Sequence, residues 1–258
     1  MSLALDGTRV LLTGASSGIG AAAAPILAAR GATLAITARR AERLDALLST
    51  LPGSGHVALP ADIAEPAAGV ELAERAAAAI GPLDVIVHNA GMPKRRRVAD
   101  LTTAEVDEAM SLNFRTPVQM TLATLPGMLA RGRGCHVYVS SLGGRLGIAR
   151  EAAYCATKFA MAGWAEAMAI DLWDQPVDVR LVLPGAIATE IWDQPGNDPP
   201  LYDGELEPAE TVGVAIADAI EGDLVEVYSP DMRGIVEWKT ANIDAYLATV
   251  ADMERSSG

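Results

Sequence analysis

The sequence predicts an α/β fold in which one parallel sheet carries helices on both of its faces. Short runs of β-branched and apolar residues alternate along the chain with longer stretches rich in alanine and leucine, the pattern of repeated strand–helix units. The strand segments are almost wholly apolar instead of alternating, as expected for strands covered on both sides. Right-handed crossovers would join these units into a doubly wound, Rossmann-like sheet.

Seven strands and seven helices are expected in strict alternation. The strands are marked by β-branched residues and are predicted at Arg9–Thr13, Thr33–Thr37, His56–Pro60, Val85–His88, Cys135–Ser140, Val179–Leu183 and Val225–Tyr228. The helices are marked by alanine, leucine and methionine and are predicted at Ile19–Arg30, Ala41–Thr50, Pro66–Ile80, about Thr103 to Arg131, Ala152–Trp173, Glu207–Ile220 and Gly234–Asp252. We expect residues 1–258 to form a single domain.

Two segments fall outside this regular pattern. Residues 186–207 are rich in proline, glycine and aspartate. A loop of this length inside a compact domain is often functional, so we predict a lid or substrate loop, with a mobile surface excursion as the alternative. Residues from about 229 to 258 form a C-terminal extension beyond the last predicted strand.

Composition limits the functions open to this chain. The 258 residues carry 20 Lys and Arg against 33 Asp and Glu, giving a formal net charge of −13. Nucleic-acid binding needs a basic surface, so nucleic acid is not an expected partner. Charges such as Arg30, Lys158 and Glu166 interrupt the most apolar stretches, so no membrane span is expected. The two cysteines are too few for a disulfide scaffold, and no basic leader precedes Asp6, so we expect a cytoplasmic protein.

A glycine-rich loop follows the first predicted strand directly, from Thr13 to Gly20, with the spacing Gly-x-x-x-Gly-x-Gly. Glycine permits the tight turn, lets the backbone approach a pyrophosphate and lets the helix pack closely on the strand. The free N–H groups and the dipole of the helix that begins here favour a phosphate. We therefore predict a dinucleotide site, with a purely structural turn as the alternative; its residues are Gly14, Ser16, Ser17, Gly18, Ile19 and Gly20.

The end of the second predicted strand indicates which dinucleotide is bound. NAD sites usually carry an acid there, about 20 residues after the glycines, to bind the ribose hydroxyls. Here Ala38 takes that place, followed by Arg39 and Arg40. A guanidinium pairs with a 2′-phosphate that a carboxylate would repel, so we predict NADP(H) over NAD(H); the alternative is that the arginines only flank an exposed helix start. Asp62, followed by Ile63 after the third strand, is expected to accept from the adenine amine.

Three side chains form a candidate acid–base centre. Tyr154 and Lys158 stand four residues apart at the start of a predicted helix, so the phenol and the ammonium share one face. A free tyrosine has a pKa of about 10, and a nearby cation should lower it enough for proton transfer. Ser141 ends the fifth strand, where such sheets open onto the ligand crevice, and is expected to hold the substrate oxygen. The Tyr–Lys pair alone is common by chance, and its alternative is an amphipathic helix face.

Over roughly residues 6–222 the sequence resembles the short-chain dehydrogenase/reductase family. Its motifs occur here in the family's order, and the ordered set is far more specific than any one member: the loop Thr13–Gly20, Asn89-Ala90-Gly91, Asn113, Ser141, Tyr154 with Lys158, Pro184-Gly185 and Thr189. The resemblance implies hydride transfer between NADP(H) and a carbonyl or secondary alcohol. No metal is implied.

The resemblance also implies a role for each of these residues. Tyr154 would give or take the proton, Lys158 would lower its pKa and bind the nicotinamide ribose, and Ser141 would position the carbonyl. Asn113 would support a water that relays protons. Further cofactor contacts, the last two to the carboxamide, would come from Asn89, Ala90, Gly91, Pro184, Gly185, Ile187 and Thr189.

The chain departs from the family pattern at three places. His88 stands where the family often has asparagine, and we interpret it as a strand-end packing residue beneath the cofactor. Cys155 replaces a frequent serine and is interpreted as a small helix residue instead of a nucleophile. The C-terminus lacks the Gly-Gly ending common in tetrameric members, which puts the usual tetramer contact in doubt.

The predicted substrate pocket is apolar, with Met92, Pro93 and Trp192 among its candidate contacts, so an apolar ketone or aldehyde is the expected substrate. The basic run Lys94–Arg97 leaves a second possibility open, the docking of an acidic carrier that bears a 3-oxoacyl thioester; the alternative is a solvated loop. A non-catalytic NADP(H) sensor is a less favoured reading. The apolar helix Ala152–Trp173 predicts a homodimer face, with a tetramer as the alternative.

Overall fold

Seven parallel strands form one sheet in the part of the chain that the structure, a computed structural model, describes (residues 3–65 and 67–256). They are β1 (Arg9–Thr13), β2 (Thr33–Thr37), β3 (Val57–Ala58), β4 (Val85–His88), β5 (Gly134–Val139), β6 (Val177–Pro184) and β7 (Glu226–Ser229). Their order across the sheet is β3-β2-β1-β4-β5-β6-β7. The chain therefore winds outward in one direction from β1 and in the other from β4, as the doubly wound prediction requires.

Nine α-helices lie in the same described segments: α1 (Gly18–Ala29), α2 (Ala41–Leu48), α3 (Ala68–Ile80), α4 (Thr103–Met110), α5 (Thr116–Arg131), α6 (Ala152–Asp171), α7 (Ala209–Glu221), α8 (Arg233–Ala241) and α9 (Ile243–Ser256). The start predicted for the third helix, Pro66, lies outside the described residues. Glu207, predicted to begin a helix, instead pairs with Ile187 in an isolated parallel bridge, and α7 begins two residues later.

Alternate side chains of the central strands enter two separate cores. In β1, Val10 and Leu12 pack on the face covered by α1, α2 and α7, whereas Leu11 packs on the face covered by α3, α5 and α6. This follows from the two-residue period of a strand. Each leucine buried in this way contributes roughly 2 kcal/mol, so both helical layers stabilise the sheet.

The long helix predicted over residues 103–131 is interrupted. A capping box of Thr102 and Glu105 starts α4, but Ser111–Arg115 forms a π-helical turn before α5 begins. The chain stays helical throughout, so hydrophobic periodicity gives no sign of the widened turn. Such turns occur frequently at functional sites, and this one carries Asn113.

The closing helix predicted at Gly234–Asp252 is also two helices. Asn242, with φ −138° and ψ 52°, separates α8 from α9. The break lets Tyr246 turn into the molecule, where it packs with Leu142 and Leu146 in a third, smaller core. The C-terminal extension is thereby placed over the loop that follows β5.

Candidate active site

A cavity of about 540 Å³ lies at the carboxyl ends of β1 and β4, where the strand order reverses. Ligands of open α/β sheets bind at this position. Most of the residues predicted to contact the cofactor line the cavity: Gly14, Ser16, Ser17, Gly18, Ile19, Arg39, Arg40, Asp62, Ile63, Asn89, Ala90, Gly91 and Thr189. The loop from β1, the ends of β2 and β4 and the lid thus meet around one space.

The glycines of the loop are required by its geometry. Gly14 has a φ of +71° and Gly18 a φ of +53°, in the region that side chains rarely adopt. A Cβ built on Gly20 would lie 2.3 Å from the Gly14 carbonyl oxygen, and one on Gly18 would lie 2.9 Å from the Thr189 methyl group. The backbone of the loop is therefore accessible to a ligand on the cavity side. On the other side the glycines leave no room for a side chain.

Asn89 ties the ends of β1 and β4 together beneath this loop. Its Nδ2 donates to the Thr13 carbonyl at 2.9 Å, while the backbone N–H groups of Asn89 and Ala90 donate to Thr13 Oγ1 at 3.0 and 2.9 Å. Thr13 Oγ1 donates in turn to the Val87 carbonyl. These bonds fix the two strand ends that bound the cavity.

The residues present fit a dinucleotide phosphate. The first turn of α1, Gly18–Ala21, contains no acid, so its N–H groups and the positive end of its dipole are aimed at the cavity without a competing carboxylate. Ser17, which precedes α1, accepts a hydrogen bond from Arg40 Nη2 at 2.7 Å. A cradle of bare backbone with a guanidinium beside it suits an anion.

Arg40, more than Arg39, is the arginine built into the glycine loop. Its Nε and Nη2 donate to Ser16 Oγ at 3.1 and 3.0 Å, and its Nη1 pairs with Glu190 on the lid at 2.8 Å. Arg39 lines the cavity as well. Asp62 lies across the cavity and accepts from the Ala64 N–H at 3.1 Å, which fixes its carboxylate at the end nearest β3.

Ser141 and Tyr154 meet at the carboxyl end of β5. Ser141 Oγ accepts from the Gly143 N–H at 3.0 Å and is hydrogen-bonded to the Tyr154 side chain. A Cβ on Gly143 would lie 3.3 Å from Tyr154 Cε1 and 3.5 Å from Ser141 Oγ. The short helical turn Leu142–Gly144 therefore brings the two hydroxyls together, as the sequence predicts.

Lys158 lies next to Tyr154 but bonds elsewhere. Its Nζ donates to the Val139 carbonyl at 3.0 Å and sits over the Tyr154 ring, 5.6 Å from the ring centroid. Burial lowers the pKa of Lys158 to about 8. Burial also raises the pKa of Tyr154 well above its usual value, and the Ser141 hydrogen bond offsets this only in part. The net shift of the Tyr154 pKa is therefore upward, opposite to the predicted lowering, because burial of the phenol has the largest effect.

Asn113 is fully buried in the π-helical turn and joins three parts of the site. Its Nδ2 donates to the Met92 carbonyl at 2.9 Å and to Thr157 Oγ1 at 3.1 Å, while its Oδ1 accepts from the Met92 N–H at 2.9 Å. A Cβ on Gly91 would come within 3.3 Å of Asn113 Oδ1 and 3.7 Å of Lys158 Nζ. Asn113 thus positions the loop after β4 against α6, and its role in a proton relay stays a prediction.

The segment predicted as a lid, residues 186–207, begins two residues after the end of β6. Pro184 ends the strand and the Gly185 N–H donates to the Ser229 carbonyl at 3.0 Å. The Ile187 carbonyl accepts from Trp192 Nε1 at 2.6 Å, and Thr189 Oγ1 caps the turn Glu190–Asp193. The segment predicted as a lid is thereby folded back over the glycine loop.

Arg95 anchors the lid, a role that sequence reasoning missed. The residue is buried, and its guanidinium donates to the carbonyls of Ile191, Trp192 and Asp198 at 3.4, 2.5 and 3.0 Å. It also lies 5.7 Å from the Trp192 ring centroid. A run of four basic residues predicts an exposed patch. Nothing in the sequence indicates that Arg95 is buried while others in the run are exposed.

The other members of the Lys94–Arg97 run are engaged as well. Lys94 is buried and 3.5 Å from Glu105, Arg96 pairs with Glu105 at 2.9 Å, and Arg97 pairs with Glu254 at 3.1 Å. The sequence leaves two interpretations of this run open, a docking patch and a solvated loop. Both are wrong for Lys94 and Arg95, because these side chains are buried and their charged groups contact other residues of this chain.

The C-terminal extension closes the opposite side of the site. Tyr246 on α9 donates its hydroxyl proton to the Gly147 carbonyl at 2.6 Å, and Glu254 pairs with Arg150 at 3.1 Å. Met232 lies near Gly185, where its Sδ would be 3.4 Å from an added Cβ. Leu142, Leu146 and Tyr246 form a buried apolar cluster, with Met232 packed against it, next to the turn that follows Ser141.

His88 and Cys155 are structural, as predicted. His88 is buried at the end of β4, stacked on Tyr138 with a ring-centroid separation of 4.7 Å and with its Nε2 3.2 Å from His136 Nδ1. Burial lowers the pKa of His88, so the ring is neutral at physiological pH. Cys155 is buried too, and burial raises the pKa of its thiol to about 11, which keeps it protonated.

Two negative findings hold for the described part of the chain. Residues 3–65 and 67–256 contain no cluster of His, Cys, Asp and Glu that could hold a metal ion. Within the same ranges, no helix has both the length and the apolarity needed to cross a membrane.

The doubly wound sheet and the ordered site at its carboxyl edge define an oxidoreductase that uses a nicotinamide dinucleotide. The sequence model of the family described as short chain dehydrogenase matches residues 8–199, which is well over half of the chain. The chain belongs to this family.

Relatives support the assignment without identifying a substrate. The ketoacyl reductase HetN of Nostoc sp. is 30% identical over 226 residues, covering 86% of this chain and 78% of that protein. The human L-xylulose reductase is 32% identical over 200 residues, covering 77% of this chain and 80% of that protein. These two names describe different substrates, so the family relationship leaves the substrate open.

Solved structures of the family have the same fold. A short-chain dehydrogenase from Sphingobium yanoikuyae in complex with NADPH has a TM-score of 0.79 at 27% identity, with 95% of this chain and 96% of that chain covered. One from Burkholderia cenocepacia in complex with NADP has a TM-score of 0.78 at 27% identity, with 96% and 99% covered. Members bound to the 2′-phosphorylated dinucleotide therefore superpose on nearly the whole chain.

Proposed function

We propose that this protein transfers a hydride between NADP(H) and an apolar ketone, aldehyde or secondary alcohol. The observation that carries the proposal is the meeting of Ser141, Tyr154 and Lys158 at the carboxyl end of β5, beside the cavity formed by the glycine loop. The hydroxyls, the buried ammonium and the anion cradle are the groups that carbonyl reduction needs. The apolar cluster of Leu142, Leu146 and Tyr246 next to the turn after Ser141 favours an apolar substrate.

The chain's own residues would divide the reaction between them. When bound, NADPH supplies a hydride to the carbonyl carbon. Ser141 Oγ would hold the carbonyl oxygen, and Tyr154, whose raised pKa keeps it protonated at neutral pH, would donate its proton to that oxygen as negative charge develops. Lys158 would then stabilise the phenolate and, with Gly91 beside it, contact the nicotinamide ribose.

We assign the phosphate-binding residues of the same site by their contacts. The glycine loop and the N-terminus of α1 would hold the pyrophosphate, and Arg40 would pair with the 2′-phosphate. Asp62 would accept from the adenine amine, and Ile187 with Thr189 would hold the carboxamide. These roles need no change of backbone fold, because the groups already line or border one cavity.

A second candidate is the reduction of a 3-oxoacyl thioester. Similarity to a ketoacyl reductase favours it. The burial of Lys94 and Arg95 leaves only Arg96 and Arg97 of the proposed docking run at the surface, where both pair with carboxylates of this chain. A thioester substrate would therefore have to be recognised by other residues.

A substrate screen tests the proposed reaction. NADPH oxidation should be fastest with apolar ketones and aldehydes and slower with free ketoses and with small 3-oxoacyl thioesters, because the first class best matches the apolar surroundings of the turn after Ser141. Spectrophotometric initial rates at equal substrate concentrations would measure this order. Faster turnover of ketoses than of apolar ketones would contradict the proposed substrate class.

Replacing Arg40 tests the cofactor assignment. Arg40→Ala should weaken NADPH binding roughly tenfold to a hundredfold, since a charge-assisted contact contributes about 1.5–3 kcal/mol, while NADH binding changes little. Arg39→Ala serves as the matched control and should have the smaller effect. Titration calorimetry of both dinucleotides would decide the matter, and equal losses for NADPH and NADH would overturn the assignment of Arg40.

We further propose a cytoplasmic homodimer with one domain. Both cysteines are free and buried, which suits a reducing compartment. Exposed apolar side chains on α5 and α6 offer a surface for a second copy: Leu122, Phe159 and Ile170. An interface of these two helices would also border α8, whose Lys239 Nζ lies 5.5 Å from the centroid of the Phe159 ring.

A further inference from the structure

The carboxylate of Glu190 lies between two guanidinium groups at the cofactor cavity. Its Oε2 is 2.8 Å from Arg40 Nη1, and its Oε1 is 2.5 Å from Arg43 Nη1. The hydrogen bonds from both arginines lower the pKa of Glu190, so the side chain is ionised at neutral pH. Glu190 belongs to the lid, 150 residues from Arg40 in sequence, so the contact is made only by the fold.

Arg40 has all three of its guanidinium nitrogens engaged within the protein. The Nε and Nη2 atoms donate to Ser16 and Ser17 on the glycine loop, and Nη1 is directed at Glu190. A guanidinium binds a phosphate best through two parallel N–H donors. These contacts use four of the five N–H donors and leave one on Nη1. An anion that binds Arg40 through two parallel donors must therefore displace one of the present acceptors, and Glu190 is the charged one that it would repel.

We propose that Glu190 is a specificity-determining residue of the cofactor site, which competes with the 2′-phosphate of NADP(H) for Arg40 and Arg43. The proposal rests on the proposed function, in which Arg40 binds that phosphate. A carboxylate and a phosphate cannot share the same pair of guanidiniums without like-charge repulsion, so binding of NADP(H) releases Glu190. NAD(H), with a neutral hydroxyl at this position, leaves the ion pairs intact.

The surroundings of Glu190 allow its side chain to be released alone. The backbone of the adjacent residues is held by Arg95, which donates to the Ile191 and Trp192 carbonyls. The side chains of Arg40, Arg43 and Glu190 are 40%, 49% and 45% exposed, so water can solvate the displaced carboxylate. Exposed pairs of this kind are weak, and the expected penalty on NADPH affinity is therefore about threefold to tenfold.

Binding measurements on charge-neutral variants test the proposal. Glu190→Gln keeps the shape of the side chain, and we expect it to tighten NADPH and adenosine 2′,5′-bisphosphate by about threefold to tenfold. Affinity for NADH and for adenosine 5′-monophosphate should stay within about twofold, because neither carries a 2′-phosphate. The matched control is Asp193→Asn, which removes one exposed negative charge from the same turn and should leave all four affinities unchanged. Titration calorimetry with all four ligands gives these values without turnover.

Three results would overturn the proposal. An unchanged or weaker affinity for both 2′-phosphorylated ligands in Glu190→Gln would show that the carboxylate does not compete. An equal change for NADPH and NADH would show that Glu190 acts only through the shape of the lid. An equal gain in NADPH affinity in Asp193→Asn would show that the effect comes from the net charge of the protein and not from Glu190 itself. Arg40→Ala separates this idea from its premise: if it weakens NADPH while Glu190→Gln has no effect, only the competition fails, whereas no effect of Arg40→Ala removes the cofactor assignment itself.

Discussion

Tyr154→Phe should lower kcat by about a thousandfold, within the range of a hundredfold to ten-thousandfold typical of a lost general acid. The change removes one hydroxyl and keeps the ring, so the packing against Gly143 and Lys158 is retained. We therefore expect NADPH affinity and the melting temperature to stay close to those of the wild-type protein. Initial rates with the best ketone, combined with calorimetric titration of NADPH, would measure both effects.

A matched control is available in Tyr202, which is exposed on the lid and donates to the Glu205 carbonyl. Tyr202→Phe removes the same atom outside the acid–base centre and should leave kcat unchanged. Full activity in Tyr154→Phe would contradict the proposed proton transfer. If the wild-type protein binds NADPH but neither it nor the Tyr202→Phe variant reduces any carbonyl, the sensor alternative would be favoured.

Gly20→Ala should abolish dinucleotide binding. The new methyl group would lie 2.3 Å from the Gly14 carbonyl oxygen and 2.7 Å from Asn89 Nδ2, distances that neither atom can relieve without moving the glycine loop. Overpacking of this kind costs about 1–3 kcal/mol, and we expect at least a hundredfold loss of NADPH affinity, on the order of 2.7 kcal/mol. Calorimetric titration and thermal unfolding would report the two consequences separately.

Gly234→Ala provides the comparison for this prediction. Gly234 lies in the first turn of α8 with open space around its Cα, so added bulk there should leave binding unchanged and raise helix stability slightly. Wild-type affinity in Gly20→Ala would show that the loop tolerates a side chain and would remove the steric argument for dinucleotide binding.

The sequence predicts those parts of the structure that depend on local patterns. The strand bounds of β1, β2 and β4 coincide with those predicted, because β-branched apolar runs have few alternative conformations. The glycine spacing and the four-residue step from Tyr154 to Lys158 predict neighbours correctly, since both are fixed by one turn of backbone. The confirmed family membership also fits the ordered motifs.

Contacts between distant segments could not be predicted in the same way. The pairing of Glu190 with Arg40 and the burial of Arg95 under the lid depend on how an irregular loop folds back, for which no periodicity exists. The pKa of Tyr154 was predicted in the wrong direction because sequence spacing indicates a neighbouring charge but gives no measure of desolvation. The break of the closing helix at Asn242 likewise depends on the docking of Tyr246.

The π-helical turn at Ser111–Arg115 shows a compromise between helix geometry and the active site. Deleting one residue there would restore regular i to i−4 bonding and strengthen the helix as an isolated element. The same deletion would rotate Asn113 by about 100° away from Met92 and Thr157, because each residue turns an α-helix by that angle. A shorter, more regular version of this chain would thus gain helical stability and lose the contacts by which Asn113 joins the loop after β4 to α6, so selection for thermostability and selection for turnover would act on this turn in opposite directions.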